Sequence, residues 1–461
     1  MHQGRKQEWR QEHKHNQTQN RLWEHTCDIP KFPSLHGDVK TDVLIIGGGA
    51  AGLLTAYFLK KKGVDCIVAE GNRILSGTTG GTTAKITIQH GLIYGKLIKT
   101  FGMEKARMYF EANRRAGEMF YELSKLYPCD YEKKNNYVYL RSDHKKLEAE
   151  AMAVRKLGFS AEITDSLPLP FETAGAVKFP DQAQFNPTKL FSRIAKELNV
   201  YEKTFVKELK PNAAITGSGT IKAQKIIIAT HFPILNKHGG FFLKMYQSRS
   251  YVLGLSNAAK YEGMYVDGEE NGFSFRNQGN LLLLGGGGHR TGKNGGNWQE
   301  LKQFADRYYP NSTERYRWAA QDCMTLDGMP YAGAYSSGTT GLYTATGFNK
   351  WGMTSSMASA MLLSDVVMGT GNKYAKLFSP SRSIMHPQLF ANIGEAAINL
   401  MGFSKKRCQH MGCRLKWNKT EHSWDCPCHG SRFSEEGLLL DNPATGNINF
   451  YTNTNNHFDT G

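Results

Sequence analysis

One stretch constrains the fold of this chain more than any other: "TDVLIIGGGAAGLLTAYFLKKKGVDCIVAEGNR", residues 41–73. Val43, Leu44, Ile45 and Ile46 form a short apolar run, the pattern of a strand buried on both faces of a parallel sheet. Gly47-x-Gly49-x-x-Gly52 follows at once, then apolar residues at helical spacing up to Gly63, which suits a helix C-cap. A second strand, "DCIVAE", ends in Glu70. A glycine triplet alone says little. Between a strand and a helix, with an acid about twenty residues on, it specifies a Rossmann-type dinucleotide site. Gly47 permits the tight turn, Gly49 lets the backbone approach a pyrophosphate, and Gly52 brings helix against sheet. The helix N-terminus offers N–H groups and a positive dipole end. Glu70 is placed to accept hydrogen bonds from ribose hydroxyls.

The chain has 461 residues, enough for more than one domain and a large core. No run of roughly 18 apolar residues occurs, so no membrane-spanning helix is expected. The opening "MHQGRKQEWRQEHKHNQTQNRLWEHT" is basic, rich in His and Gln, and lacks the apolar stretch of a secretory signal. It reads as a flexible tail, assigned here to residues 1–40. Cys27, Cys66, Cys129 and Cys323 are scattered without framework spacing, which points to a reducing compartment and a cytoplasmic protein. The formal charge of +16 is spread in small groups along the chain. Such dispersion describes a solvated surface, not a nucleic-acid interface, and equally suits an anionic substrate or an acidic electron carrier.

The first motif does not by itself separate FAD from NAD. Three further stretches do so by resemblance. "KIIIATHFPI" (225–234) resembles the strand-and-AT segment of glutathione-reductase-type flavoproteins. "TLDGMPYAG" (325–333) and "GLYTATGFNKWGMTSSMASAMLLSDVV" (341–367) resemble the closing motifs of the D-amino-acid-oxidase (DAO-like) flavoprotein family. That resemblance implies noncovalent FAD. Gly347 and Gly352 would pass beside the flavin, and Met353 and Thr354 would open a helix aimed at its pyrimidine side. Thr79, in "SGTTGGTTAKIT" (76–87), would lie on a loop against the phosphates and the ring, and Val206 in "YEKTFVKEL" (201–209) would pass the adenine.

The implied layout is an α/β protein. A Rossmann-type FAD-binding domain (about 41–95, 175–235 and 315–370) is interleaved with an α+β substrate domain (about 96–174 and 236–314). A helical linker (371–407), a small all-β C-terminal segment (408–450) and a tail (451–461) follow. Flavin-dependent amine oxidation asks for an oriented C–H and often a cation for a substrate carboxylate. Arg249, Tyr251, His289 and Arg290, in or beside the substrate sheet, are the catalytic candidates. Cys323 does not align with the flavin-attachment cysteine of some relatives and reads as a buried free thiol.

The C-terminal segment concentrates soft ligands: "RCQHMGCRLKWNKTEHSWDCPCHGSRF", residues 407–433, holds four cysteines and three histidines. Cys408-x-His410 and Cys426-x-x-His429 put one cysteine and one histidine on each of two loops. A structural zinc site normally has two close Cys and two close His, or four Cys. The mixed order instead suits a [2Fe–2S] cluster with two thiolates on one iron and two imidazoles on the other. "CQHMGC" and "CPCHGS" resemble the Rieske iron–sulfur family. That resemblance implies a Cys413–Cys428 disulfide between the ligand loops, a Ser431 hydrogen bond to a cluster sulfide, and a covering loop at "DNPATG" (441–446). Phe433 stands where high-potential relatives carry tyrosine, which removes one hydrogen bond and lowers the potential. The sequence departs from the family before Cys408. Residues 385–407 read as a helix with apolar positions Leu389, Phe390, Ile393, Ala397 and Leu400, where supporting strands are normally found. The segment is either a minimal version resting on the flavin domain or one that has lost part of its scaffold.

Together these readings describe an FAD-dependent oxidoreductase acting on a small amine or amino acid, its flavin exchanging electrons with a Rieske cluster and an electron-carrier protein. Two other classes stay open: an O₂-using flavin oxidase with a vestigial cluster segment, and a non-catalytic iron–sulfur redox sensor.

Overall fold

A computed structural model describes residues 19–449, apart from 236, 237, 271, 384, 403 and 405. The apolar run Val43–Ile46 lies in the strand Val39–Ile46, where all four side chains are buried. That strand is central because it pairs in parallel on both sides, with Thr220–Ile228 (Leu44 opposite Ile226) and with Cys66–Ala69 (Leu44 opposite Ile67). Asn199–Tyr201 extends one side of this eight-stranded sheet and Leu342–Thr346 the other, with Tyr331–Ala334 added antiparallel at the edge. The helices Ala50–Lys61 and Gly352–Val367 pack against each other beside it. The close approach of Ala50–Lys61 to the strand before it needs Gly52, whose hypothetical Cβ would sit 1.9 Å from the Gly47 carbonyl oxygen. Val206 lies in the connection after Asn199–Tyr201.

The second sheet has nine strands, with Thr313–Thr325, Met245–Ser256 and Leu281–Arg290 as consecutive antiparallel neighbours at one end. Gly175–Gln184 and Thr313–Thr325 both belong to it. The boundaries drawn at 175 and 315 therefore cut through the substrate domain: Gly175–Gln184 pairs with Glu132–Leu140 and Thr313–Thr325 with Met245–Ser256, all strands of this sheet. The N-terminal tail drawn as residues 1–40 also runs too far. Residues 1–18 are outside the described set, but from Asn20 the backbone bonds to Arg317, and Trp23 is fully buried with its indole N–H on the Thr82 carbonyl.

After residue 380 the chain forms the helix Pro387–Met401 and then a four-stranded antiparallel sheet of three-residue strands, Lys416–Asn418, Ser423–Asp425, Arg432–Ser434 and Leu439–Asp441. The scarcity of strands foreseen from the sequence is real, and docking replaces the missing support. Gln247 Nε2 donates to the His429 carbonyl (2.8 Å), Gln321 Nε2 to Gly430 (2.9 Å), and the Arg290 guanidinium to Pro427 and Cys428 (both 3.2 Å). The preceding helix departs from its expected face. Leu389 is buried, but Phe390, Ile393 and Leu400 are exposed, while Asn392 and Asn399 are buried. The surface it rests on is polar: Asn392 takes the Arg290 guanidinium and donates to the Leu243 carbonyl.

Candidate functional site

A cavity of about 1030 Å³ runs between the two sheets. Pockets for compact ligands span roughly 300–1,000 Å³, so this one suits an extended dinucleotide. Gly47, Gly49, Glu70, Thr79, Val206, Gly352, Met353 and Thr354 all line it. Gly47 has φ +115°, and a Cβ there would lie 2.5 Å from the Ala229 carbonyl oxygen, so the turn is closed to other residues. Glu70 already accepts from the Gly48 and Asn72 N–H groups (2.6 and 2.8 Å), which orients its carboxylate at the cavity wall. Burial pushes its pKa up while these N–H groups pull it down. Thr79 Oγ1 accepts from the Ala50 N–H (3.0 Å) at the helix start. Gly52 and Gly347 stand behind the wall; Gly347 has φ +73° and no room for a side chain beside Thr325. The buried Nε2 of His231, a cavity-lining residue, has no hydrogen-bond partner, as expected where a polar ligand belongs. These residues fit FAD.

The four catalytic candidates are brought together, but around a different task. Arg249 forms a buried bidentate ion pair with Glu421 of the C-terminal segment. Tyr251 donates to the same carboxylate (2.9 Å) and meets His289 Nε2 (3.0 Å). Arg290 points to the Cys426–His429 loop. The cations expected to await a substrate carboxylate thus hold the C-terminal segment in place. The reason is electrostatic: Glu421 is fully buried and is stable only if paired. Burial alone would raise its pKa, but Arg249 and Arg432 hold it well below the usual carboxylate range. Arg432 also bonds Asp425 (3.0 Å) and Asp441 (2.9 Å), completing a network that no local sequence pattern announces.

Sequence reading also missed the amines facing the cavity, Lys85 and Lys350. Lys85 Nζ donates to Thr83 Oγ1 (3.0 Å). Burial, aided by the nearby Arg276 charge, pushes its pKa down to about 7. The signal was its place in the quoted 76–87 loop.

The metal-ligand candidates converge. Cys408, Cys426 and His429 are buried, and His410 Nδ1 lies 3.2 Å from His429 Nδ1. Burial pushes the two imidazoles down to about 4 and about 3, which keeps them neutral and ligand-competent. The Sγ atoms of Cys413, Cys426 and Cys428 lie within 4.8 Å of one another. Cys426 therefore stands between the ligand pair and the disulfide pair. All eight cysteines are free thiols here, so the Cys413–Cys428 bridge implied by resemblance is not formed in this structure. A sulfur side and an imidazole side is the donor set a Rieske cluster requires. Ser431 Oγ accepts from the Ala444 N–H (3.0 Å), tying the covering loop to the ligand loop, and Phe433 is fully buried.

The two centres share a wall. Leu439–Asn442 of the C-terminal segment line the large cavity. Thr230 and His231 line it too, and the ring of Phe232 meets both His410 (6.3 Å) and His429 (6.5 Å). Gln321 joins them again: its carbonyl accepts from Thr78 Oγ1 (3.0 Å) and its amide donates to Gly430.

Residues 42–366 match the family model for FAD-dependent oxidoreductases of the DAO type. The chain belongs to this family. Residues 401–452 match the Rieske [2Fe-2S] domain model, so a DAO flavoprotein and a Rieske domain share one polypeptide, with FAD and a [2Fe–2S] cluster as its cofactors. YhfW of Bacillus subtilis (strain 168), provisionally described as a Rieske 2Fe-2S iron–sulfur protein, is 33% identical over 92% of this chain and 95% of its own length. Among solved structures, glycine oxidase from Geobacillus kaustophilus superposes with a TM-score of 0.62 at 19% identity, over 75% of this chain and 99% of that one. L-proline dehydrogenase from P. horikoshii gives 0.61 at 18%, over 76% and 98%. These structures share the DAO fold.

Proposed function

We propose that this DAO-family protein oxidises a C–N bond of a small amine or amino acid at noncovalent FAD and relays electrons between the flavin and its Rieske cluster, with an electron-carrier protein as external partner. The observation that carries the relay is the shared wall: residues 230–232 run from the flavin cavity to both cluster imidazoles. The C–N assignment is supported by the fold shared with glycine oxidase and L-proline dehydrogenase.

When bound, FAD supplies a two-electron acceptor and the cluster a one-electron relay. The chain's own residues divide the remaining work. Gly47, Gly49 and Thr79 would cradle the pyrophosphate, Glu70 would take the ribose hydroxyls, and Val206 would border the adenine. Gly352, Met353 and Thr354 would present a helix N-terminus to the pyrimidine side, with Gly347 closing the turn before it. Lys85 and Lys350 offer positive charge to a substrate carboxylate, the role Arg249 cannot fill while paired. Cys408 and Cys426 would hold one iron and His410 and His429 the other, with Cys413 and Cys428, free thiols in this structure, as the pair that would bridge the loops. Noncovalent binding fits Cys323, which is buried with its Sγ on the His231 carbonyl (3.4 Å) and is absent from the cavity wall. The free, scattered cysteines suit a cytoplasmic location.

Anaerobic stopped-flow mixing of the holoprotein with candidate amines and amino acids tests the reading. Flavin bleaching followed by a Rieske EPR signal is expected. Bleaching with an unchanged cluster signal would favour an oxidase, and no bleaching by any donor would favour a redox sensor.

A further inference from the structure

The helix Pro387–Met401 is amphipathic in reverse. Its polar side faces the protein: Asn392 bonds Arg290, Glu395 pairs with Lys293 (2.7 Å), and the Asn399 backbone carbonyl accepts from the Arg414 N–H (2.9 Å). The opposite side carries Phe390, Ile393, Ile398, Leu400 and Met401, exposed at 63, 44, 61, 41 and 74%. At 3.6 residues per turn these positions share one face, and the residues between them, Ala391, Gly394 and Ala397, are apolar or small. A surface helix ordinarily shows the opposite pattern, and contiguous exposed apolar surface marks an interaction site.

The neighbouring sequence supplies charge. Residues 396–420 contain Lys405, Lys406, Arg407, Arg414, Lys416 and Lys419 and no acidic residue. Arg407 donates to the Leu400 and Gly402 carbonyls (3.2 and 2.8 Å), fastening this basic segment to the helix end.

We infer that this helix docks the protein on the surface of an anionic lipid bilayer, its apolar face in the headgroup–acyl boundary and the basic segment against lipid phosphates. This combination of an uninterrupted apolar face with flanking cations is that of an interfacial helix. No helix among the described residues is long and apolar enough to cross a membrane, so the helix lies on it. A second copy of the chain is a poorer occupant. Fifteen residues give a face of about 22 by 10 Å, far short of the roughly 800 Å² per partner of a stable interface. A carrier protein would need polar partners that this face lacks. The inference rests on the surface alone and does not depend on the proposed reaction.

Flotation of the holoprotein with phosphatidylcholine vesicles, with or without phosphatidylglycerol, tests it. Binding is expected only to the anionic vesicles, falling as salt rises. Phe390→Ser/Met401→Ser, with flavin and cluster spectra unchanged, should weaken it at least about tenfold. If that variant fails to fold, Ile398→Gln should act in the same direction. Failure to float with anionic vesicles, or flotation unaffected by these substitutions, overturns the proposal. So does light scattering that shows a dimer which the double variant converts to a monomer.

Discussion

Glu421 shows how one side chain joins the two domains. It is fully buried and accepts from Arg249, Tyr251 and Arg432. Glu421→Gln leaves the buried guanidinium groups short of a countercharge, a change that typically costs about 3–5 kcal/mol. Chemical denaturation should show that loss, with the cluster released before the flavin. His90 gives a pH signature. It lies under the helix Gly352–Val367, bonded to Tyr109 (2.6 Å) and Thr354 (2.9 Å), and burial pushes its pKa down to about 3. The unfolded chain protonates this imidazole near pH 6.5 and the folded chain resists until about pH 3. Between those values the unfolded state binds more protons, so stability falls as pH falls, by on the order of a few kcal/mol. Thermal melts of His90→Gln should show a shallower acid slope over that window. Lys85 acts at the cavity. Lys85→Met should raise KM for a carboxylate substrate about tenfold, the scale of one charge-assisted hydrogen bond. Parent affinity for such a substrate should weaken as pH rises through about 7, where Lys85 loses its charge.

At the scale of elements, close backbone approaches decide what binds. The helix Ala50–Lys61 meets its strand only through Gly52, with 1.9 Å from a hypothetical Cβ to the Gly47 oxygen. Gly52→Ala must push the helix outward and misplace its N-terminus; the purified variant should hold little flavin, read as the ratio of 450 nm absorbance to protein. The nucleotide strand, turn, helix and acid were legible because each lies within thirty-odd residues and follows local periodicity. The helix Pro387–Met401 was legible as a helix but not as to its face. Burial depends on what stands opposite, and here that is Arg290 and the Leu243 backbone carbonyl. The same reason undid the reading of Arg249 and Arg290 as substrate cations: the strand placement was right, and their partners lie more than 130 residues away.

For the whole molecule, docking replaces scaffold. Four three-residue strands form a sheet below the usual length of about five to six residues per strand, so the cluster loops depend on Gln247, Arg290 and Gln321 of the larger domain. Gln321→Leu should leave flavin reduction by substrate intact while slowing electron exchange with the cluster, measured as the lag between bleaching and the EPR signal. The coupling is thus a property of the assembled chain, not of either half.

The sequence by itself determined the chemistry: which residues can cradle a dinucleotide, and which four soft ligands can hold a diiron centre, because both patterns are local and set by glycine conformation and ligand spacing. Only the tertiary structure decided what the long-range charges do, which face of the last helix meets solvent, and that Leu439–Asn442 beside the cluster loops form part of the flavin cavity's wall. Those outcomes depend on pairing and burial between segments far apart in the chain, where a side chain's partner, not its type, sets its role.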